Sequence, residues 1–386
     1  MITMQTADKA LKSFYLDAVT DALDKSANPF LAQIKKSTAD VLGKDVRKLV
    51  RYGVGGIVAG SETEELKASQ GGRYVQFVSP LKNLYGTIEI SDKALRASQG
   101  NEGAFVNLLN DEMDNMVKTA SMQFGRMLFG DGSGILARIK AIAANNVVTF
   151  DSVQNLFEGM VVYAYTADGE YKGEFTVEAV NRELGNAKLI GATVTLSDLP
   201  INSYVSSQTT NGQEITGLGA IFGDESIYGV DRTSHPFLVP YNKAIAGEID
   251  EETIQTAIDK IEEKSGSKVN FIVCSWGVRR ALAAYYRQHN IALATQEIEG
   301  GYKALSFAGI PVVADRFCPK GTMYLLNTDD FCVHQLCDWQ WLEGEDGKVL
   351  SKLPGKPVYS ATLVKYAELM CYKPGGQGMI SGITEK

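Results

Sequence analysis

Asn101 to Asp131, NEGAFVNLLNDEMDNMVKTASMQFGRMLFGD, is the stretch whose reading decides the fold. Apolar residues fall at Phe105, Leu108, Leu109, Met113, Met116, Val117, Ala120, Phe124, Met127 and Leu128. These are the three-and-four steps of one helix face. A helix of roughly 28 residues is about 42 Å long, where ordinary ones run about 11–12 residues. The other face carries Asn107, Asn110, Asp111, Asp114 and Lys118. That is the pattern of neither a membrane span nor a coiled coil with charged flanks. Gly130-Asp131-Gly132-Ser133-Gly134 supplies residues that tolerate left-handed angles and so stop the helix. Such a spar spans a domain and points to a mechanical part more than to a reaction vessel.

On its N-terminal side the hydrophobic period is two. Val46–Tyr52 alternates, and so does Gly86–Ile90, with a glycine-rich, charged stretch around Ser61–Gly72 between them. The expectation is one long hairpin joining 46–52 to 86–90. An isolated hairpin is marginal in water, so it should lie across a neighbouring subunit. Before it, Leu11, Phe14, Tyr15, Ala18, Ala22 and Leu23 mark a helix, and Asn28-Pro29 breaks it. A second short amphipathic piece carries Phe30, Leu31 and Ile34 and extends toward Val41 and Leu42. With no partner nearby, both read as an arm lying on something else.

On the C-terminal side, β-rich runs recur at Asn146–Phe150, Met160–Tyr165, Gly173–Val180, Ala192–Leu196 and Ser203–Ser206, with Asp168-Gly169 as a hairpin turn. Strands at this spacing predict a small barrel or sandwich inserted at 137–212. Mixed α/β follows. Asp250 caps a helix with Ile254, Ile258 and Ile261, ending near Lys264 and Gly266. Val269–Cys274 is the apolar run of a strand covered on both faces, and Ser275 opens another helix. Ile310–Ala314, Thr322–Leu326 and Phe331–Leu336 are expected to complete one sheet. Val358–Tyr372 reads as a long strand with a bulge.

The composition is that of a folded globular chain, 45% hydrophobic and 22% charged. Asp8, Asp17, Asp21 and Asp24 stand where a signal peptide would need an apolar run. No window holds 18 uninterrupted apolar residues, so no membrane partner is expected. A net charge of −8 argues against grip on a nucleic-acid backbone. The five scattered cysteines read as reduced, buried thiols.

The search for chemistry returns no catalytic, cofactor or metal residues. Gly217-Leu218-Gly219-Ala220-Ile221-Phe222-Gly223 misses the dinucleotide spacing, because its third glycine is one place late. Gly55–Gly60 lacks the Lys-Ser/Thr of a phosphate loop. Ser133 follows Asp131 by two and lacks the nucleophile-elbow pattern. Cys332, His334 and Cys337, with Cys318 nearby, match no common zinc-ligand pair. On a strand, Cys332 and His334 share a face while Cys337 points away. His235 precedes a proline in a turn-like stretch.

Three further segments carry a family resemblance. Leu81-Lys82-Asn83-Leu84-Tyr85-Gly86-Thr87-Ile88-Glu89-Ile90-Ser91-Asp92-Lys93-Ala94-Leu95 leads from the hairpin to the spar. Ile227-Tyr228-Gly229-Val230-Asp231-Arg232 and Phe307-Ala308-Gly309-Ile310-Pro311-Val312-Val313-Ala314-Asp315 follow, the latter leading to the strand and turn at Met323–Asp330. In this order they resemble the major capsid protein of tailed bacteriophages, over everything but the 137–212 insert and the extreme ends. The resemblance implies an α+β fold. It comprises an N-terminal helical arm (1–45), an extended hairpin loop (46–95), a peripheral domain with spine helix (96–136), the insert (137–212), a peripheral return (213–240), an axial domain (241–340) and final peripheral strands (341–386).

The function implied is self-assembly as hexamers and pentamers into an icosahedral shell around packaged double-stranded DNA. The virion capsid would be built in the host cytoplasm with a separate scaffolding protein, a portal and a decoration protein. Some members cross-link a hairpin lysine to a neighbour's asparagine; Lys67 is the lysine placed for it, with a plain solvated charge as the alternative. Two other readings are an encapsulin-type nanocompartment shell, which shares the fold, and a soluble α/β enzyme with an unrecognised site.

Overall fold

A computed structural model describes residues 28–53, 56, 62, 71–93, 102–191, 199–207, 212–224, 226–290, 295–298, 302–343 and 349–386. The expected spar is a helix, Glu102–Phe129, of 28 residues. Its inner stripe, Val117, Phe124 and Leu128, enters the largest core. Facing it is a five-stranded sheet built on β20 (Val358–Cys371). One side of β20 pairs with β5 (Lys82–Ser91), and the other with β18 (Phe331–Trp341) and β19 (Ser351–Lys352). β1 (Lys35–Ser37) runs parallel to β18 at the far edge.

The hairpin differs from the one expected. β3 (Asp45–Tyr52) pairs antiparallel with β4 (Arg73–Pro80), from Asp45↔Pro80 to Tyr52↔Arg73, and β2 (Val41–Leu42) caps its root. The alternation at 86–90 belongs to β5 and pairs with the C-terminal half of the chain. Period two reports that one face is buried, not which strand lies alongside; Tyr74-Val75-Gln76-Phe77 alternates too and is nearer in sequence.

What residues 29–34 lie on is the chain's own core. Phe30, Leu31 and Ile34 are buried in the main core, where Phe30 meets Phe331 edge-on at 5.5 Å and Phe129 at 6.0 Å. These partners are far along the chain, beyond the reach of local pattern. The helix expected over 6–25 lies outside the described residues.

After Gly134 the chain forms a closed six-stranded barrel, ordered β10-β7-β6-β11-β8-β9. Its strands are β6 (Ile135–Ile142), β7 (Val147–Phe150), β8 (Val161–Tyr165), β9 (Tyr171–Asn181), β10 (Asn186–Gly191) and β11 (Tyr204–Ser207). The barrel has its own core, with Ile139, Val148, Val162, Phe175, Leu189 and Val205 buried. Gly169, at φ 85°, makes the β8–β9 turn expected of Asp168-Gly169. The strand expected at Ala192–Leu196 falls outside the described residues; β10 precedes it.

A seven-stranded sheet, β12-β21-β17-β13-β16-β15-β14, makes the third core. It comprises β12 (Tyr241–Gly247), β13 (Phe271–Cys274), β14 (Thr295–Ile298), β15 (Tyr302–Phe307), β16 (Ile310–Ala314), β17 (Met323–Leu326) and β21 (Gly378–Ile383). Helices Glu251–Ser265 and Trp276–Gln288 have their buried faces in that core. Asp250 caps the first by accepting from the Thr253 N–H, Gly266 ends it at φ 64°, and Ser275 caps the second.

Two strands sit elsewhere than expected. β18 leaves the Ile310–Leu326 sheet at the turn Thr328–Asp330 and joins β20, while β21 carries the C-terminus back between β12 and β17. Both crossovers are turns of a few residues, and an apolar strand fits the interior of either sheet. The register irregularity also lies in β18, between Gln335 and Gln340, whereas β20 pairs with β5 without a break. Among the described residues no helix is long and apolar enough to cross a membrane.

Candidate assembly surfaces

The β3–β4 hairpin is two-faced. Val46 and Phe77 are buried on the inner face, where Phe77 packs on Tyr228 at 5.4 Å and Tyr52 stacks on Phe237 at 4.3 Å. On the outer face Leu49 is 63% exposed and Tyr74 56%, beside Arg47, Arg51 and Gln76. Cross-strand neighbours share a face, so Leu49, Arg51 and Tyr74 form one outward row with no core above it among the described residues. Lys67 and most of the hairpin tip lie outside the described residues.

The root of the barrel is clamped to the end of the long helix. Arg126 and Glu214, each 4% exposed, form a buried ion pair, and Arg126 Nε also donates to Gln123 Oε1 at 2.9 Å. Two residues on, the Thr216 N–H donates to Glu368 Oε1 at 2.7 Å. Burial pushes the Glu368 carboxyl up to about 7, against the hydrogen bonds from Thr216. Next comes the glycine loop that missed the dinucleotide pattern. A Cβ on Gly217 would overlap the carbonyl oxygens of Met127, Leu128 and Gly130, and one on Gly219 would lie 2.9 Å from Gly130. These glycines let two backbones touch. They leave no room for a phosphate.

Arg232 of the Gly-x-Asp-Arg turn is 4% exposed. Its guanidinium donates to the carbonyls of Ala220 and Ile221, both at 2.9 Å, and of Gly223. It therefore satisfies the open end of the short helix Leu218–Ile221. Asp231 accepts from the hydroxyls and backbone N–H groups of Thr233 and Ser234. Those bonds, Thr233's hydroxyl first, hold its carboxyl well below the usual carboxylate range.

Lys365, on β20, is 1% exposed as a side chain. It donates to Gln335 Oε1 at 2.9 Å and Asp338 Oδ1 at 2.5 Å, between the rings of Phe124 and Trp339 at 5.5 and 5.7 Å. Burial opposes ionisation of Asp338, but the charge and hydrogen bond of Lys365, with Lys36 behind, hold it down at about 2. The long helix, β18, β20 and the N-terminal segment thus meet at one buried cation.

The cysteine and histidine cluster does not converge. His334 is fully buried; its Nδ1–H donates to Ala39 O at 3.1 Å and its Nε2 accepts from the Tyr372 hydroxyl at 2.8 Å. Both ring nitrogens are taken by protein, and burial lowers its pKa. Cys318 lies in the connection between β16 and β17, where its Sγ lies 3.5 Å from Thr322 O. His235 packs edge-on against Tyr52 and Phe237. Ser133 donates to Asp131 within the helix-stop turn. Asp315, where the Phe307–Asp315 segment ends, accepts from the Phe317 N–H at 2.9 Å, and burial pushes it up to about 7.

The signal that marks Arg126, Lys365 and Glu368 in sequence is a charge inside an apolar run, SMQFGRMLF and ATLVKYAELMC. Their partners Glu214 and Asp338 carry no such signal.

No family profile and no curated protein matches the chain. Among solved structures, it is similar to a chain of the Cyanophage A-1(L) capsid asymmetric unit, at TM-score 0.58 and 12% identity over 93% of this chain and 94% of that one. Weaker likenesses include Mycobacterium phage Adephagia (TM-score 0.48, 10% identity, 92% and 90% covered). Another is the holo-SrpI encapsulin complex from Synechococcus elongatus PCC 7942 (TM-score 0.43, 9% identity, 81% and 78% covered). The chain has the fold of the cyanophage capsid subunit along nearly its whole length.

Proposed function

We propose that this chain is a major capsid protein of a tailed bacteriophage, a structural and non-enzymatic subunit. It self-associates as hexamers and pentamers into an icosahedral shell around double-stranded DNA, in the virion. The observation that carries this reading is the end-to-end likeness to the cyanophage capsid chain, joined to a hairpin whose outer face exposes Leu49 and Tyr74 among basic and polar residues. In this reading the β3–β4 hairpin, Asp45–Pro80, lies over a neighbour. The long helix with the sheet of β1, β5, β18, β19 and β20 is the peripheral domain, the seven-stranded sheet with its two helices, β21 included, is the axial domain, and 137–212 is the insert. The long helix is the spine that fixes the spacing between subunits. Heterologous contacts of this kind close into rings and shells or run on as open assemblies. A net charge of −8 suits a wall that packaged DNA should not adhere to. Assembly in the host cytoplasm with a scaffolding protein, a portal and a decoration protein belongs to the same proposal.

Electron microscopy of the purified chain, alone and co-expressed with the scaffold gene, tests it. Shells, tubes or capsomers are expected. A small soluble oligomer under every salt condition and with scaffold present refutes it. Shells that form around an enzyme cargo, with no terminase or portal gene beside the gene, assign the chain to the nanocompartment class.

A further inference from the structure

Among the described residues β5 is an edge strand, and its one ladder partner there is β20, whose other side is taken by β18 and β19. A groove of about 1010 Å³ runs along the open edge. Every residue from Asn83 to Ile90 lines it in succession. Side chains of a strand alternate between faces, so an unbroken run means that the groove follows the backbone edge itself. The opposite wall is one stripe of the long helix, including Glu112, Asn115, Met116, Thr119 and Met127, and Met160 and Val161 of the barrel line it too. The walls match in length, about 26 Å for eight strand residues and about 22 Å for residues 112–127 of the helix.

Three properties define what fits. An open strand edge offers backbone donors and acceptors to another strand. The thioethers of Met116, Met127 and Met160 adapt to varied apolar side chains. The charges lining the groove are all carboxylates: Glu214 is held by Arg126, whereas Glu89 and Glu112 are exposed and have no ion-pair partner among the described residues. A second copy's hairpin is a poor match. Its β3 is already the middle strand of its own sheet, and the outer strand β4 carries a single basic residue, Arg73.

We propose that this groove accepts an extended basic segment of a second protein, added as a strand to the open edge of β5 with its Lys or Arg side chains against Glu89 and Glu112. The site goes beyond the shell reading and does not depend on it, because the groove lies within one chain.

The test uses the full-length, unassembled chain and three labelled eight-residue probes. One repeats Lys-Lys-Val-Val, which sets basic side chains on both faces of the added strand, one repeats Glu-Glu-Val-Val, and the third is the Lys–Val peptide N-methylated at every backbone nitrogen. Fluorescence anisotropy reads binding, and amide hydrogen exchange reads the site. The Lys–Val probe should bind and protect amides within Asn83–Ile90, and the other two should not. The exposed-site double variant Glu89→Gln/Glu112→Gln, with unchanged circular dichroism, should weaken binding by about tenfold. Equal binding of the acidic and basic probes overturns the proposal, as does binding without protection of Asn83–Ile90. Protection of the same amides that rises with protein concentration and no peptide assigns the groove to a second copy and refutes the partner-protein assignment. Particle formation, scored separately by microscopy, reports on the shell reading alone.

Discussion

Removing Glu214 while keeping Arg126 tests the clamp that joins the barrel to the long helix. Both side chains are 4% exposed, and the guanidinium's other side-chain bond is to Gln123. Glu214→Ala therefore leaves a cation in an apolar setting with its main counter-charge gone, a change that costs about 3–5 kcal/mol in comparable buried pairs. Against a total stability of about 5–15 kcal/mol, that is a large fraction. Arg126→Met should cost a similar amount, because among the described residues Glu214 would keep only Ser207 Oγ at 3.4 Å. The double variant Arg126→Met/Glu214→Leu removes both charges and both desolvation penalties, and should lie within about 2 kcal/mol of the wild type. Guanidinium unfolding of the unassembled chain measures all four corners of the cycle. Hydrogen exchange should show the loss in Glu214→Ala centred on residues 212–217 and the helix end, with the seven-stranded sheet unaffected. If each single variant costs under about 1 kcal/mol, or the double costs the sum of the singles, the pair is not a desolvated clamp and the reasoning fails.

Other variants probe separate contacts. Phe124→Asp places a carboxylate at a site 2% exposed, edge-on to Trp339, and should abolish soluble folded protein, judged by circular dichroism; normal particles would mean that the helix is not the organising element. Lys67→Ala should leave folding intact and disturb assembly at most, and boiled, denatured wild-type particles that migrate only as monomer would end the cross-linking idea. Gly217→Ala forces a Cβ against three carbonyl oxygens of the helix end and should cost about 1–3 kcal/mol in the same unfolding assay; a neutral result would remove the close-approach explanation of the glycine loop. Glu368 is raised from 4.5 to about 7, so the folded chain holds a proton that the unfolded chain releases. Its contribution to stability should be full below pH 4.5 and fall by ~3 kcal/mol as pH rises to about 7, then level off. Glu368→Gln should flatten that limb of the stability–pH curve, and an unchanged slope would contradict it.

Features that depend on residues close together in the chain were legible without coordinates. The 28-residue helix shows as a stripe of three-and-four steps, and Asp250, Gly266 and Ser275 mark helix ends because a cap acts on N–H or C=O groups a few positions away. Asp168-Gly169 sets a turn by its own backbone preference. The departure of Gly217–Gly223 from the dinucleotide spacing was legible for the same reason, because that spacing is local. Tertiary structure alone decided which strand lies beside which. Val46–Tyr52 and Gly86–Ile90 carry the same period, yet one pairs with Arg73–Pro80 and the other with Val358–Ala367, because alternation specifies a buried face and leaves the neighbour open. Phe30 read as part of an arm that lies on something else, and only the packing identifies that something as Phe331 and Phe129. The charged contacts that hold the long helix in place, Arg126 with Glu214 and Lys365 with Asp338, join residues 88 and 27 positions apart. A buried charge announces itself in an apolar run, but its partner is chosen by the packing around it.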